Sequence, residues 1–248
     1  MQHCPTAHAT LVQDSIVALS VTRVTRRHRD IFGKDAPFDV AGFTARVADH
    51  FVRHPWRPTG LGDTALHEAG HFIVSEVEGF VPYDAEVCAP QKPGDGWSGE
   101  QRCWAARCFD GRPEHHDPDR LIRDARATLA GPLAEAMFGS DGAALGNIAE
   151  LWEVRIFLAR AGQLSDRARA AIWRETITRT ASLNDFYAAE IRALGCLLKK
   201  RKRITRDQRN TKSVLDQVSG RQLRLPQLSV RGQLAISMID KALGALCQ

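Results

Sequence analysis

The stretch Thr64-Ala65-Leu66-His67-Glu68-Ala69-Gly70-His71-Phe72-Ile73-Val74 constrains this chain more than any other. Two histidines four residues apart sit inside an apolar helical pattern. On an α-helix each residue advances about 100° and 1.5 Å, so His67 and His71 lie one turn apart on one face and can share an ion. Glu68 lies beside them, where a carboxylate can take a proton from a metal-activated water. With 9 His in the chain, and Glu about as frequent, the string His-Glu-x-x-His arises by chance in roughly one such sequence in seventy. The surrounding text therefore has to decide its meaning.

That text reads as helix on both sides. Phe38, Phe43, Val47 and Phe51 recur at near-helical spacing until Pro55, predicting a helix over 37–53. Residues 1–35 fit a helix, or a strand followed by a solvated turn. Asp63 or Thr64 is expected to cap the motif helix, which should run to Glu78 with Gly79 as its stop. Phe72, Ile73, Val74 and Val77 make most of its surface apolar, so it should be central and buried.

Residues 80–117 are rich in proline and glycine, with strands expected at Ala85–Cys88 and Cys103–Phe109. From Asp119 the pattern turns helical, with Gly131-Pro132 expected to kink or divide the first helix. Further helices are predicted around Ile148–Leu158, from Ser165 to about Ala181, and over Phe186–Leu198. A polar linker over 206–226 and an amphipathic helix over 230–246 complete the reading.

Charge adds one local feature. The net charge is +5, yet residues 199–212 alone carry +7 and the remainder about −2. The basic character is thus confined to one run. It is a possible nucleic-acid contact, but a solvated helix end followed by a linker is the favoured reading. No apolar run reaches the roughly 18 residues of a membrane span, and no export signal is legible. Six dispersed cysteines are then expected to be reduced thiols in a cytoplasmic setting. Cys88, Cys103 and Cys108 with His115 and His116 lack a Cys-x-x-Cys knuckle and read as sheet thiols, not a second zinc site.

Two segments together carry a family resemblance. Leu66-His67-Glu68-Ala69-Gly70-His71 resembles the zinc-binding helix of FtsH-like ATP-dependent metallopeptidases. Ala130-Gly131-Pro132-Leu133-Ala134-Glu135 is similar to the Ala-Gly-x-x-Ala-Glu helix of that peptidase domain. The resemblance implies a mainly α (α+β), zincin-like domain over 60–205 with a small strand region. A helical extension over 1–59 would precede it, and a basic linker and C-terminal helix over 206–248 would follow. It also implies a Zn2+ cofactor, Glu68 as general base, and peptides or unfolded proteins as substrates. No Gly-x-x-x-x-Gly-Lys-Ser/Thr loop and no membrane anchor are legible, so a stand-alone peptidase domain served by a separate ATPase or adaptor is expected.

In that family an aspartate on a later helix completes the metal site. Here Gly142-Ala143-Ala144-Leu145-Gly146-Asn147-Ile148 places Asn147 at that position. An amide oxygen is a poorer zinc donor than a carboxylate. Asp141 and Glu150 are the other oxygens in reach, Glu150 being one turn further along the same helical face. Glu135 reads as a helix-surface or buried ion-pair residue, in preference to a group that supports a metal ligand. The competing reading is a non-catalytic relative that recruits a partner through its basic C-terminal region.

Overall fold

The computed structural model describes residues 7–91, 96, 98–103, 117–140, 147–162, 166–225 and 227–246. The architecture is mainly helical with one small sheet. In chain order the elements are α1 (Ala7–Phe32), α2 (Val40–Arg53), α3 (Leu61–Val77), β1 (Pro82–Cys88), β2 (Ser98–Cys103) and α4 (Pro118–Phe138). There follow α5 (Ile148–Ala161), α6 (Asp166–Phe186), α7 (Ala188–Arg201), β3 (Arg203–Thr205), α8 (Arg209–Gly220) and α9 (Val230–Leu246).

The motif helix α3 is buried along nearly its whole length. Phe72, Ile73 and Val74 are fully inaccessible, each contributing on the order of 1.5–3 kcal/mol of burial. It starts at Leu61, behind Gly60, and not at an Asp63 or Thr64 cap. Asp63 instead accepts hydrogen bonds from the backbone N–H and hydroxyl of Ser140, at 2.8 and 2.6 Å, fastening α3 to the end of α4. Gly79 ends the helix with a φ of +83°, a conformation that costs glycine little.

Helix α4 separates two apolar clusters. Leu121, Ala125, Leu129 and Leu133 face a core built with α1, α2, α5 and α9. Ala130 and Ala134, on the adjoining face, pack with α3, α7, β1 and α8. The helix is not divided at Gly131-Pro132 but runs on to Phe138 with Pro132 inside it. Proline removes only one backbone donor, and packing on both faces holds the remaining turns.

The sheet is antiparallel, ordered β2-β1-β3. Asp84 of β1 ties all three strands together. It accepts from Arg102 of β2 at 2.7 Å through each oxygen, and from Arg203 of β3 at 2.6 Å. The second strand is Ser98–Cys103, earlier than expected, and residues 104–109 lie outside the described residues. Cys88 and Cys103 pair with opposite ends of the β1–β2 ladder.

Residues 1–59 supply two helices whose Val17, Val24, Ile31, Phe43, Val47 and Phe51 enter a core shared with α4 and α5. Two sequence expectations change here. The basic run is not simply a solvated tail. Arg203 and Arg206 are bound to Asp84 and Glu76, and Ile204 is buried. The supposed linker contains α8, whose Val214, Leu215 and Val218 are buried. These apolar residues lie three or four apart among charges, a helical spacing that the basic composition obscured. The C-terminal helix falls where expected.

Among the described residues, no helix is long and apolar enough to cross a membrane.

Candidate metal centre

The two motif imidazoles project from α3 against α4, with Nε2 atoms 3.0 Å apart. Each Nδ1 is occupied. His67 Nδ1 lies 3.0 Å from Glu135 Oε2, and His71 Nδ1 lies 2.7 Å from the backbone oxygen of Ala127. Both partners only accept, so both Nδ1 atoms donate, and each ring turns its Nε2 toward Glu150. Ala127, Gly131 and Glu135 are four apart, and this face of α4 lies against the imidazoles. A Cβ at Gly131 would stand 2.7 Å from His67 Cδ2 and closer still to His71 Nε2. The Ala-Gly-x-x-Ala-Glu segment is therefore the wall on which the motif histidines are mounted.

The third group is Glu150, on the first turn of α5. Its Oε2 lies 3.0 Å from His67 Nε2 and 3.5 Å from His71 Nε2. That oxygen is buried and makes no hydrogen bond of acceptable geometry. Among the described residues, His67, His71 and Glu150 form the group of side chains whose ligand atoms converge.

Asn147, placed first as third ligand on sequence grounds, faces elsewhere. Its amide donates to Glu135 Oε2 at 2.5 Å and lies 3.4 Å from His67 Nδ1, on the far side of the ring from Nε2. The reason is positional: Asn147 stands just before α5, whereas Glu150 is on its first turn and points toward α3. Asp141 lies outside the described residues.

Charge in the centre is strongly coupled. Burial opposes protonation of His67, but Glu150 and Glu135 outweigh it and hold its pKa well above the ordinary value. Burial likewise opposes ionisation of Glu150, yet His67, Arg23 and His71 keep it well below the usual carboxylate range. Without a metal, His67 and Glu150 form a buried ion pair, and a bound cation would take the place of the proton.

The geometry suits zinc. A tetrahedral ion about 2.0–2.2 Å from its ligands needs donor atoms about 3.3 Å apart. The three separations here are 3.0, 3.0 and 3.5 Å. Two imidazoles and one carboxylate form a donor set typical of catalytic zinc, which leaves a fourth position for solvent or substrate.

Glu68 lines the same cleft as His71 and Glu150, a cavity of about 410 Å³ bounded by α1, α3, α5 and β2. Its carboxylate is covered by Gly99 of β2, where a Cβ would come within 2.5 Å of Glu68 Cγ and 2.6 Å of Oε1. A side chain at position 99 would have to displace Glu68. Ser75 of α3 donates to Gln101 Oε1 at 3.3 Å and fixes β2 beside the motif helix. A larger cavity of about 740 Å³ lies between α5, α6 and α9, lined by Trp173, Ile177 and Leu158. It has none of the three converging ligands.

Several contributors were not legible in sequence. Glu135 reads in sequence as a surface or buried ion-pair residue, or less readily as a support for a metal ligand, and nothing in the sequence names His67 Nδ1 as its partner. The carbonyl of Ala127 has no side-chain signature at all. Arg23 and Glu153, which bear on Glu150, are separated by 130 residues, and nothing local links them. A scan against protein-family models returns no match, and no curated protein is significantly similar in sequence.

Proposed function

We propose that the chain is a zinc-dependent peptidase related to the FtsH-like metallopeptidases, with His67, His71 and Glu150 holding the metal and Glu68 as general base. One observation carries this reading. Ligand atoms of three side chains from α3 and α5 meet at separations suited to zinc, while hydrogen bonds to α4 through Nδ1 turn both histidine Nε2 atoms toward Glu150. The packing of Ala127–Glu135 around the imidazoles supports the kinship suggested by the two sequence segments.

Zinc bound there would supply Lewis acidity, polarising a peptide carbonyl and lowering the pKa of water toward about 7. Glu68, in the same cleft, would accept the proton of the attacking water and return it to the leaving amine. The strand β2 contributes Gly99, Glu100 and Gln101 to the cleft, and among the described residues it pairs along one edge, with β1. An extended peptide could lie along that strand. The substrate class is therefore a peptide or an unfolded segment, delivered where necessary by a separate ATPase or adaptor.

The test is zinc content together with cleavage of an unfolded reporter protein by the purified chain. Stoichiometric zinc lost in His67→Ala, with cleavage abolished by Glu68→Gln while zinc is retained, supports the enzyme. Zinc without cleavage under any condition favours the non-catalytic relative. Absence of zinc overturns the metal centre.

A further inference from the structure

Arg23 belongs to α1, outside the segment that resembles a peptidase domain, yet it reaches the metal centre. Its Nε and Nη2 donate to Glu153 at 2.9 and 3.0 Å, and Nη2 also donates to Glu150 Oε1 at 3.1 Å. Glu150 and Glu153 are three apart on α5, so two carboxylates face one way at a spacing where like charges repel. Glu153 is almost wholly buried, and Arg27 of α1 adds a second cation 3.5 Å from it. One guanidinium fork thus binds the remote oxygen of Glu150 and anchors itself on a carboxylate one turn away.

We infer that Arg23 is a positioning residue for the metal centre, holding Glu150 Oε1 so that only Oε2 faces the two imidazoles. This rests on the proposed role of Glu150 as a ligand. Its consequence is a carboxylate that binds through one oxygen. Zinc in a tetrahedral site takes one oxygen from such a ligand and keeps its fourth position for solvent or substrate, whereas larger hard cations bind both oxygens of a carboxylate. Arg23 therefore favours a small tetrahedral ion and preserves an open position toward the cleft. Helix α1 thereby becomes part of the metal site.

The experiment uses the full chain with Arg23→Gln and Arg23→Lys, under three readouts. Zinc affinity is measured by competition with a chromophoric chelator. Coordination is read from the visible spectrum of the cobalt-substituted protein, and folding from circular dichroism. Arg23→Gln should weaken zinc about 10- to 100-fold, the usual consequence of losing a group that orients a ligand. Its cobalt bands should fall in intensity toward a five-coordinate pattern, because Glu150 is free to bind with both oxygens. Arg23→Lys keeps the charge without the fork and should fall between. An arginine that merely tied α1 to α5 would lower the melting temperature and leave the cobalt spectrum unmoved, and that result overturns the inference. If Arg23→Gln does not fold, the spectrum of Arg23→Lys decides alone, and identity with the parent overturns it. A parent chain that binds neither ion defeats the metal centre itself. A parent whose zinc depends on His67 but not on Arg23 defeats this inference only.

Discussion

Glu135 of α4 accepts the Nδ1 proton of His67 of α3 at 3.0 Å, across 68 residues of sequence. That hydrogen bond sets which nitrogen His67 presents to the cleft. It also explains why a buried glutamate belongs in the Ala-Gly-x-x-Ala-Glu segment. Replacing Glu135 by Gln should weaken zinc binding about 10- to 100-fold, since the imidazole loses its charged orienting partner. Chelator competition measures this directly, and an affinity equal to the parent would show that the tautomer is set elsewhere.

The third ligand has its own test. Glu150→Ala should abolish stoichiometric zinc, because two histidines alone leave half of the tetrahedron empty. Asn147→Ala should retain it, losing only a hydrogen bond to Glu135 worth about 0.5–1.5 kcal/mol. Metal analysis after gel filtration distinguishes the two. The opposite order would return the ligand role to Asn147.

Zinc should stabilise the fold. At free zinc about 100-fold above the dissociation constant, linkage adds about 2.7 kcal/mol. For a chain of 248 residues this raises the melting temperature by roughly 5–10 °C. A scan in chelator against a scan in added zinc reads the difference, and His67→Ala should remove it.

Gly131→Ala should destabilise the protein by about 1–3 kcal/mol, because the new methyl group meets both imidazoles and the buried wall cannot retreat. Gly220→Ala, at the end of α8 with nothing within 4 Å of the added carbon, is the control. It should be neutral or stabilising by up to about 1 kcal/mol. Equal effects in chemical denaturation at both positions would count against the close packing of α4 on the histidines.

The sheet predicts a pH dependence through Asp84. Burial favours its neutral form, but Arg102 and Arg203 outweigh burial and hold its pKa below the ordinary carboxylate value. The folded pKa is lower than the unfolded one, about 3.9. Its stabilisation is therefore present in full above that pH and is lost as pH falls through the folded value. Asp84→Asn should cost about 1–3 kcal/mol near neutrality, and the gap from the parent should close in acid. A gap that widens on acidification would reverse the assignment.

How much of this was legible in the sequence depends on the range of the interaction concerned. His67, Glu68 and His71 are placed by helical periodicity, a local property of four residues, and the apolar residues after them declare a buried helix. The same periodicity located α2, α5 and α9 closely. Where charge interrupted it, at α8, the reading failed, and at Pro132 the helix is not divided, because tertiary packing and not local propensity maintains those turns. The choice among Asn147, Asp141 and Glu150 lay beyond the sequence. Asn147 and Glu150 stand three residues apart at the start of α5, and only the docking of α5 against α3 and α1 decides which of the two faces the imidazole Nε2 atoms; Asp141 lies outside the described residues. Glu135, Ala127 and Arg23 serve the site from other helices. Their roles arise from distances between chain segments, which no spacing along the chain records. The sequence by itself placed two histidines and a glutamate on adjoining positions of one helix; the packing of α1, α4 and α5 around α3 decided which side chains converge on them and orient them.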